Sequence, residues 1–169
     1  MKASDFLNIV LPFKDKVFRL SKRLLVSREE AEDATQELIF KLWKNRDKIA
    51  GYKNVEAFAM TMTKNYCYDR LKSKQANNLT LIHSNYKENE TALDKKLEFK
   101  DSVHQVHQLI ENLPAQQKMI IQLRDVEQYE FDEISKMLDM KPTAIRVALS
   151  RARKTIREAL IKKHNYGVS

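Results

Sequence analysis

The stretch of residues 27–47 constrains the fold most, because it contains neither glycine nor proline and its apolar residues recur at helical spacing. Ser27 can cap a helix, and Glu30, three residues later, can complete a capping box. At 3.6 residues per turn, one face of this helix is apolar and carries Ala31, Ala34, Thr35, Leu38 and Leu42. The pattern predicts an amphipathic helix of about five turns.

The opposite face of this helix combines carboxylates with large aromatic rings. It carries Glu29, Asp33, Gln36, Glu37 and Phe40, with Trp43 beside them. One interpretation is a docking surface for a basic partner, since exposed rings mark contact sites. The other is a solvated face on which Phe40 and Trp43 are covered by a neighbouring helix. The pattern alone favours neither interpretation.

Composition limits the class of protein. Two glycines and three prolines among 169 residues, with long helical periodicity, predict an all-α fold. A net charge of +8 favours a polyanionic partner, a nucleic acid or a membrane surface. A single cysteine excludes an intramolecular disulfide and favours a reducing compartment. Without a leader pattern or a long apolar run, we expect a cytoplasmic protein that does not insert into membranes.

The order of charge and periodicity predicts two small helical domains. Residues 4–25 are helical in pattern, with Leu7 expected in the core, and Pro12 is expected to start a second helix within them. Residues 76–101 are polar with weak periodicity, as is typical of a flexible linker. The net charge is +6 over residues 1–75, −1 over 76–101 and +3 over 102–169. We therefore expect domains at 1–75 and 102–169.

The loop at 48–54 and the helix after it combine aromatic, amide and basic side chains. They are Tyr52, Lys53, Asn54, Asn65, Tyr66, Arg70, Lys72 and Lys74. Rings beside a positive track suit single-stranded nucleic acid, because an unstacked base can lie on a ring while cations follow the backbone. The alternative places Phe58 and one tyrosine in the core, and the spacing favours that position for Phe58.

The second domain ends in a short helix, a three-residue turn and a long basic helix. The short helix covers about 130–138 and the long one begins at Pro142, and a further helix is expected before them from Pro114 to about Arg124. This order is typical of a helix-turn-helix that binds duplex DNA. The candidate DNA contacts are Thr143, Arg146, Ser150, Arg151 and Lys154. The alternative is a basic solvated helix in a small bundle.

No pattern indicates catalysis. His104 and His107 are spaced like a pair of metal ligands, but no Cys, Asp or Glu completes a site, so we expect no metal. Cys67 has no base partner placed by the sequence and is expected to be a buried or incidental thiol. Without a glycine-rich phosphate loop or a paired carboxylate, we expect no cofactor, no small-molecule substrate and no enzyme.

These stretches together resemble the extracytoplasmic-function (ECF) sigma factors of bacterial RNA polymerase. Residues 31–43, AEDATQELIFKLW, are similar to the family segment that docks on the polymerase's largest subunit. The resemblance implies that Asp33, Gln36, Glu37 and Phe40 bind core polymerase. Residues 58–74, with Asn65 and Asp69, resemble the segment that melts the minus-ten element, and the loop before them would hold a flipped base.

The C-terminal stretch resembles the region of the family that reads the minus-thirty-five element. The matching residues are Leu113, Pro114, Leu123, Arg124, Glu133, Ile134, Leu138, Arg151, Ala152 and Arg153. Asp139 stands where the turn usually carries glycine and would have to adopt a left-handed conformation. Ala144, Val147 and Ala148 replace frequent polar or basic residues, so readout is expected to fall on Thr143, Arg146, Ser150 and Arg151.

The resemblance implies a sigma factor that binds core RNA polymerase and promoter DNA and is controlled by an anti-sigma factor. The alternative is a helix-turn-helix transcriptional regulator whose N-terminal helices dimerise or sense a ligand. That alternative explains the basic C-terminal helix but gives no reason for the acidic face with Phe40 and Trp43. The sequence leaves open whether the two domains touch in the free protein.

Overall fold

The computed structural model describes the backbone of residues 1–78 and 101–167 and the side chains of 1–75 and 102–163. The described residues form helices and loops without any strand, which confirms the all-α prediction. The first bundle consists of α1 (Ala3–Leu25), α2 (Arg28–Lys44), α3 (Arg46–Ile49) and α4 (Val55–Asn78). The second bundle consists of α5 (Asp101–Glu111), α6 (Ala115–Ile121), α7 (Phe131–Leu138) and α8 (Pro142–Gly167).

The linker predicted at 76–101 lies largely outside the described residues. Residues 76–78 continue α4, and α5 begins at Asp101. The domain boundaries at 75 and 102 therefore stay predictions. Within the described ranges, no helix combines the length and the apolar character needed to cross a bilayer.

Helix α1 runs without a break through Pro12, so the prediction of two helices was wrong. A proline inside a helix removes one backbone hydrogen bond and costs about 3 kcal/mol. Pro12 lies on the exposed side, while Val10, Phe13 and Val17 on the other side are 1–3% exposed. Burial of each such side chain stabilises by about 1.5–3 kcal/mol, which offsets the lost bond. Leu7, expected in the core, is 49% exposed.

Helix α2 has the predicted cap and the predicted buried face. The Ser27 hydroxyl accepts a hydrogen bond from the Glu30 backbone N–H at 3.4 Å. The Glu30 carboxylate forms an ion pair with Lys74 of α4 rather than closing the capping box. The buried residues of α2 are the five predicted ones, Ala31, Ala34, Thr35, Leu38 and Leu42. This face packs on α1 and α4 and closes the first bundle.

Cys67 lies in the core of the first bundle, as predicted for an incidental thiol. Its side chain is 0% exposed. Burial raises the pKa of the Cys67 thiol to about 11. The thiol therefore stays protonated and poorly nucleophilic near neutral pH.

The second bundle contains a π-helical turn that the sequence pattern did not indicate. A helix was expected from Pro114 to about Arg124, but α6 ends at Ile121 and the chain continues as a π turn over Gln122–Val126. The Glu127 N–H donates to the Gln122 carbonyl at 3.0 Å, which is the wider spacing of a π turn. This turn presents the Gln122 and Glu127 side chains towards the first bundle.

The turn between α7 and α8 has the geometry of a helix-turn-helix. Asp139 adopts the expected left-handed conformation, with φ 52° and ψ 51°, and its N–H donates to the Ser135 carbonyl. At the other end of α7, Glu130 and Glu133 form a capping box. The short helix is thus fixed at both ends, which sets the angle at which α8 leaves it.

The two bundles contact each other through polar side chains. Arg19 of α1 pairs with Glu127, and Arg23 donates to Gln122 and lies against His107 of α5. Lys64 of α4 donates to the carbonyl of Met137, in the last turn of α7, at 2.9 Å. The structure therefore answers the question that the sequence left open, because the arrangement described is a closed one.

Replacing Asp139 with glycine is expected to stabilise the protein by about 0.5–1 kcal/mol. A left-handed conformation strains a residue that carries a Cβ, and glycine removes that strain at some cost in unfolded-state entropy. Urea unfolding of the wild-type protein and the variant measures the difference. Asp139→Ala is the matched control and should lower stability. Alanine keeps the strained Cβ but lacks the short polar side chain with which aspartate tolerates the left-handed conformation. A glycine variant that is less stable than the wild type would contradict the prediction.

Candidate polymerase-docking and DNA-binding surfaces

The predicted polymerase contacts lie together on the exposed side of α2. Asp33, Gln36, Glu37 and Phe40, here called the docking face, are all exposed because the stripe on the other side of α2 is buried. Phe40 is 50% exposed, and the Lys44 ammonium lies 4.5 Å from its ring centre. The arrangement places two carboxylates and an aromatic ring on one face.

Trp43 behaves differently from Phe40. Its ring packs edge-on against Phe6 of α1, with ring centres 5.1 Å apart, and the Arg46 guanidinium lies 4.1 Å from it. Each of the two sequence interpretations therefore holds for one ring. Phe40 stays on the surface, whereas Trp43 is partly covered by a neighbouring helix.

An apolar groove of about 480 Å³ lies between α1 and α2, next to the docking face. Leu7, Ile39, Phe40 and Trp43 line it. Sequence reasoning missed this groove, because it assigned Leu7 to the core. The available signal was the spacing of Leu7 and Leu11, which are 49% and 58% exposed, at one helical turn. Contiguous exposed apolar surface of this kind is typical of a contact site.

The loop before α4 presents two aromatic rings to solvent. Tyr52 and Phe58 are 42% and 37% exposed, and their rings meet edge to face at 5.0 Å. The prediction that Phe58 lies in the core was wrong, because Ala59, Met60 and Thr63 occupy that side of α4. Asn54 accepts a hydrogen bond from the Ala57 N–H at 3.0 Å and so caps α4, while Lys53 beside it is exposed.

The remaining predicted contacts on α4 fall into two groups. Asn65, Arg70 and Lys72 are exposed. Tyr66 is half-buried with the Lys41 ammonium 5.1 Å from its ring centre, and Lys74 pairs with Glu30. Residues 54–74 of a helix span about 30 Å, so the structure arranges these groups along a track rather than in one pocket.

The predicted DNA contacts on α8 are exposed along one side of the helix. Thr143, Arg146, Ser150, Arg151 and Lys154 all face solvent. Ala148, which the resemblance assigned to the recognition surface, is buried at 7% exposure. Ala144 and Val147 are exposed, so the recognition surface has an apolar part between its charged residues.

Arg146 is held by an aromatic platform that the sequence did not reveal. The Phe131 ring has the Arg124 guanidinium at 4.4 Å and the Arg146 guanidinium at 5.0 Å from its centre. A pocket of about 250 Å³ lies beside this platform, lined by Phe131, Arg146, Leu149, Ser150, Arg153 and Arg157. Arg153 is held by both oxygens of Asp125, which raises the pKa of the arginine. Three guanidinium groups at one pocket favour a phosphate oxygen as ligand.

His104 and His107 belong to no metal-ligand cluster among the described residues. Within the described residues there is no cluster of three or more His, Cys, Asp or Glu side chains suited to a metal ion. The Nδ1 atom of His107 lies 2.8 Å from a guanidinium nitrogen of Arg23. A cation bound to His107 would face that positive group at short range.

Two family models match the two bundles. Sigma-70 region 2 matches residues 9–77, and Sigma-70, region 4 matches residues 104–156. Together they span more than two thirds of the chain, in the order predicted from the sequence. The chain belongs to the ECF sigma factors. As a member of this family, it directs bacterial core RNA polymerase to promoters and initiates transcription there.

Relatives and solved structures of other sigma factors are similar to this sigma factor over nearly its whole length. It is 24% identical to the RNA polymerase sigma-H factor of Pseudomonas aeruginosa, over 90% of this chain and 84% of that protein. It is 23% identical to the ECF RNA polymerase sigma factor SigW of Bacillus subtilis, over 92% and 88%.

The fold is also shared with proteins in two solved complexes. One is the sigma factor RpoE bound to the anti-sigma factor NepR from Bartonella quintana, at TM-score 0.73 and 20% identity, over 94% of this chain and 98% of that one. The other is CnrH bound to the cytosolic domain of CnrY, at TM-score 0.69 and 13% identity, over 95% and 90%.

Phe131 and Arg146 of this sigma factor are expected to be coupled by about 0.5–1 kcal/mol, the usual size of an exposed cation–π contact. Urea unfolding of the wild-type protein, Phe131→Leu, Arg146→Ala and the double variant measures this coupling. Arg151→Ala replaces Arg146→Ala in a control cycle and should be additive with Phe131→Leu. Equal coupling in both cycles would show that Phe131 does not hold Arg146 specifically.

Proposed function

We propose that three separate surfaces of this sigma factor divide promoter recognition among them. The docking face of α2 binds core polymerase, the loop at 50–54 with α4 captures the unpaired minus-ten strand, and α8 reads duplex minus-thirty-five DNA. The observation that carries the proposal is the separation of charge. The docking face presents two carboxylates and a ring, whereas the exposed cations predicted to contact DNA lie on α4, the preceding loop and α8.

The docking face suits a basic, partly apolar partner. Asp33 and Glu37 are one helical turn apart, as are Gln36 and Phe40. Two carboxylates can pair with lysine or arginine side chains of the polymerase while Phe40 is buried at the centre of the contact. The groove beside Phe40 extends the apolar part of this surface.

The loop and α4 suit a single strand whose bases are unstacked. Tyr52 and Phe58 offer two exposed rings on which a base can stack, and Lys53 lies beside them for the backbone. Asn65, Arg70 and Lys72 continue the track along α4. Phe58 thereby joins the residues proposed from the sequence. Tyr66 and Lys74 already contact Lys41 and Glu30, so their share in DNA binding requires those contacts to rearrange.

Helix α8 suits the major groove. Arg146, held on Phe131, and Arg151 can donate to guanine edges, while Thr143, Ser150 and Lys154 reach bases or phosphates. Val147 is 49% exposed and can contact a thymine methyl group. This combination favours a site in which guanine and thymine positions both contribute.

A helix-turn-helix regulator with a sensing domain is the second candidate. Such a protein would share the second bundle, and α8 favours it as much as it favours a sigma factor. The match of Sigma-70 region 2 to residues 9–77 and the exposed docking face favour the sigma factor.

We extend the proposal to control and location. Both structural neighbours are complexes, one described as a sigma factor with its anti-sigma factor and the other with a cytosolic domain. Their shared fold supports control of this chain by an anti-sigma factor in the cytoplasm. The chain acts as a specificity subunit, and the catalytic groups belong to the polymerase.

Run-off transcription with core polymerase and a randomised promoter library tests the proposal. The Asp33→Ala/Glu37→Ala variant should bind core at least about 30-fold more weakly and lose the start sites that the wild type produces, as expected for central contact residues. Asp5→Ala/Asp47→Ala removes two exposed carboxylates elsewhere and should transcribe normally. Duplex binding by a stable dimer, with no transcripts from any protein, would favour the regulator.

A further inference from the structure

The lysine that follows Glu37 by one helical turn does not pair with it. Glu37 and Lys41 are four residues apart on α2, and both are exposed. Residues at this spacing are neighbours on a helix surface, and a glutamate on the N-terminal side of a lysine is the more favourable order for an ion pair. Within the described part of the chain, however, neither side chain takes part in an ion pair.

Two other pairs show that the same spacing does produce ion pairs in this protein. Arg28 pairs with Glu32 in α2 at 3.1 Å, and Lys154 approaches Glu158 in α8 at 3.9 Å. Both have the cation first, which is the less favourable order. All four side chains are more than half exposed. Exposure to solvent therefore does not explain why the more favourable pair on the docking face is absent.

The ring of Tyr66 holds Lys41 instead. Its centre lies 5.1 Å from the Lys41 ammonium. Packing of α2 on α4 brings the ring beside this lysine, and half-burial fixes the ring in place. A cation–π contact at an exposed site stabilises at least as much as an exposed ion pair within one helix. The ring can therefore draw Lys41 away from Glu37.

This contact leaves the carboxylates of the docking face free for a partner. Asp33 and Glu37 form no ion pair with any described residue. A carboxylate without an internal partner can pair with a lysine or arginine of the polymerase without first breaking a contact. A Lys41 ammonium beside Glu37 would also place a positive charge against a basic partner.

We propose that Tyr66 is a positioning residue for polymerase docking, because its ring holds the Lys41 ammonium away from Glu37. The inference rests on the proposed docking role of Glu37. It concerns the free protein and its first contact with core, before a DNA strand is present. The ring thus serves the surface of α2 as well as the minus-ten track proposed for α4.

Two carboxylates compete for Lys41 once the ring is removed. Glu37 lies one turn before it on the same helix, and Asp69 lies three residues after Tyr66 on α4. Glu37 has the advantage, because its position relative to Lys41 is fixed by the helix itself. Release of the lysine should therefore neutralise a docking carboxylate.

Binding of the full-length protein to core polymerase without DNA tests this role. Tyr66→Leu should bind core about threefold more weakly, the size expected when an exposed ion pair must be broken first. Tyr66→Phe keeps the ring and should bind as tightly as the wild type. Adding Lys41→Met to Tyr66→Leu should restore the affinity, whereas adding Lys22→Met, a lysine on α1, should not. The loss in Tyr66→Leu should shrink as salt is added.

Proton NMR of the free protein provides a second readout of the contact. The ε-methylene protons of Lys41 should resonate upfield in the wild type and in Tyr66→Phe, because they lie near the face of a ring. Tyr66→Leu should abolish this shift. Glu37→Gln in the Tyr66→Leu background removes the competing carboxylate, so Lys41→Met should then have no further effect on core binding.

The outcomes separate the inference from the proposed function. Unchanged core affinity in Tyr66→Leu would overturn the positioning role. A loss that Lys41→Met fails to restore would also overturn it, because Tyr66 would then act by packing alone. Core binding by Asp33→Ala/Glu37→Ala as tight as by the wild type would refute the docking function itself. In that event the NMR shift would still decide whether Tyr66 holds Lys41.

Discussion

Burial of the α2 stripe on α1 and α4 is the constraint on which the surfaces of the first bundle depend. A helix repeats every 3.6 residues, so fixing Ala34, Leu38 and Leu42 in the core forces the docking face outward. The same bundle orients α4, whose buried residues include Ala59, Met60 and Cys67. The core residues contribute no chemistry of their own. They determine which charges and rings are exposed to solvent.

Arginine has two competing sets of partners in this protein. Arg19 and Arg153 are each held by a carboxylate of the same chain, Glu127 and Asp125. A carboxylate and a phosphate each present a pair of oxygens to a guanidinium. A carboxylate of the same chain can therefore compete with DNA phosphates for an arginine. A net charge of +8 alone would predict strong non-specific binding to nucleic acid. Internal pairing lowers the number of cations that the free protein presents.

Errors in the sequence interpretation share one physical cause. Pro12 breaks helices on average, but here it faces solvent on a helix held by its other side. Phe58 and Leu7 are large and apolar, yet the core already contains residues that fill their helical faces. Propensity and hydrophobicity are properties of single residues. Burial depends on which side chains of the neighbouring helices fill the core. The stripe of α2 was predictable because local spacing alone determines it, and the left-handed Asp139 was expected from the resemblance, since the family's turn usually carries glycine there.

The sequence by itself determined the helical class, the acidic face of α2 and the basic helix-turn-helix. Each depends on periodicity, capping or charge within one segment, which are local quantities. Only the tertiary structure decided that Phe131 supports Arg146, that Phe58 joins Tyr52 at the surface, and that the bundles close on each other. Those contacts join residues distant in the chain or depend on how the core is filled. No local pattern specifies which distant partner a side chain will meet.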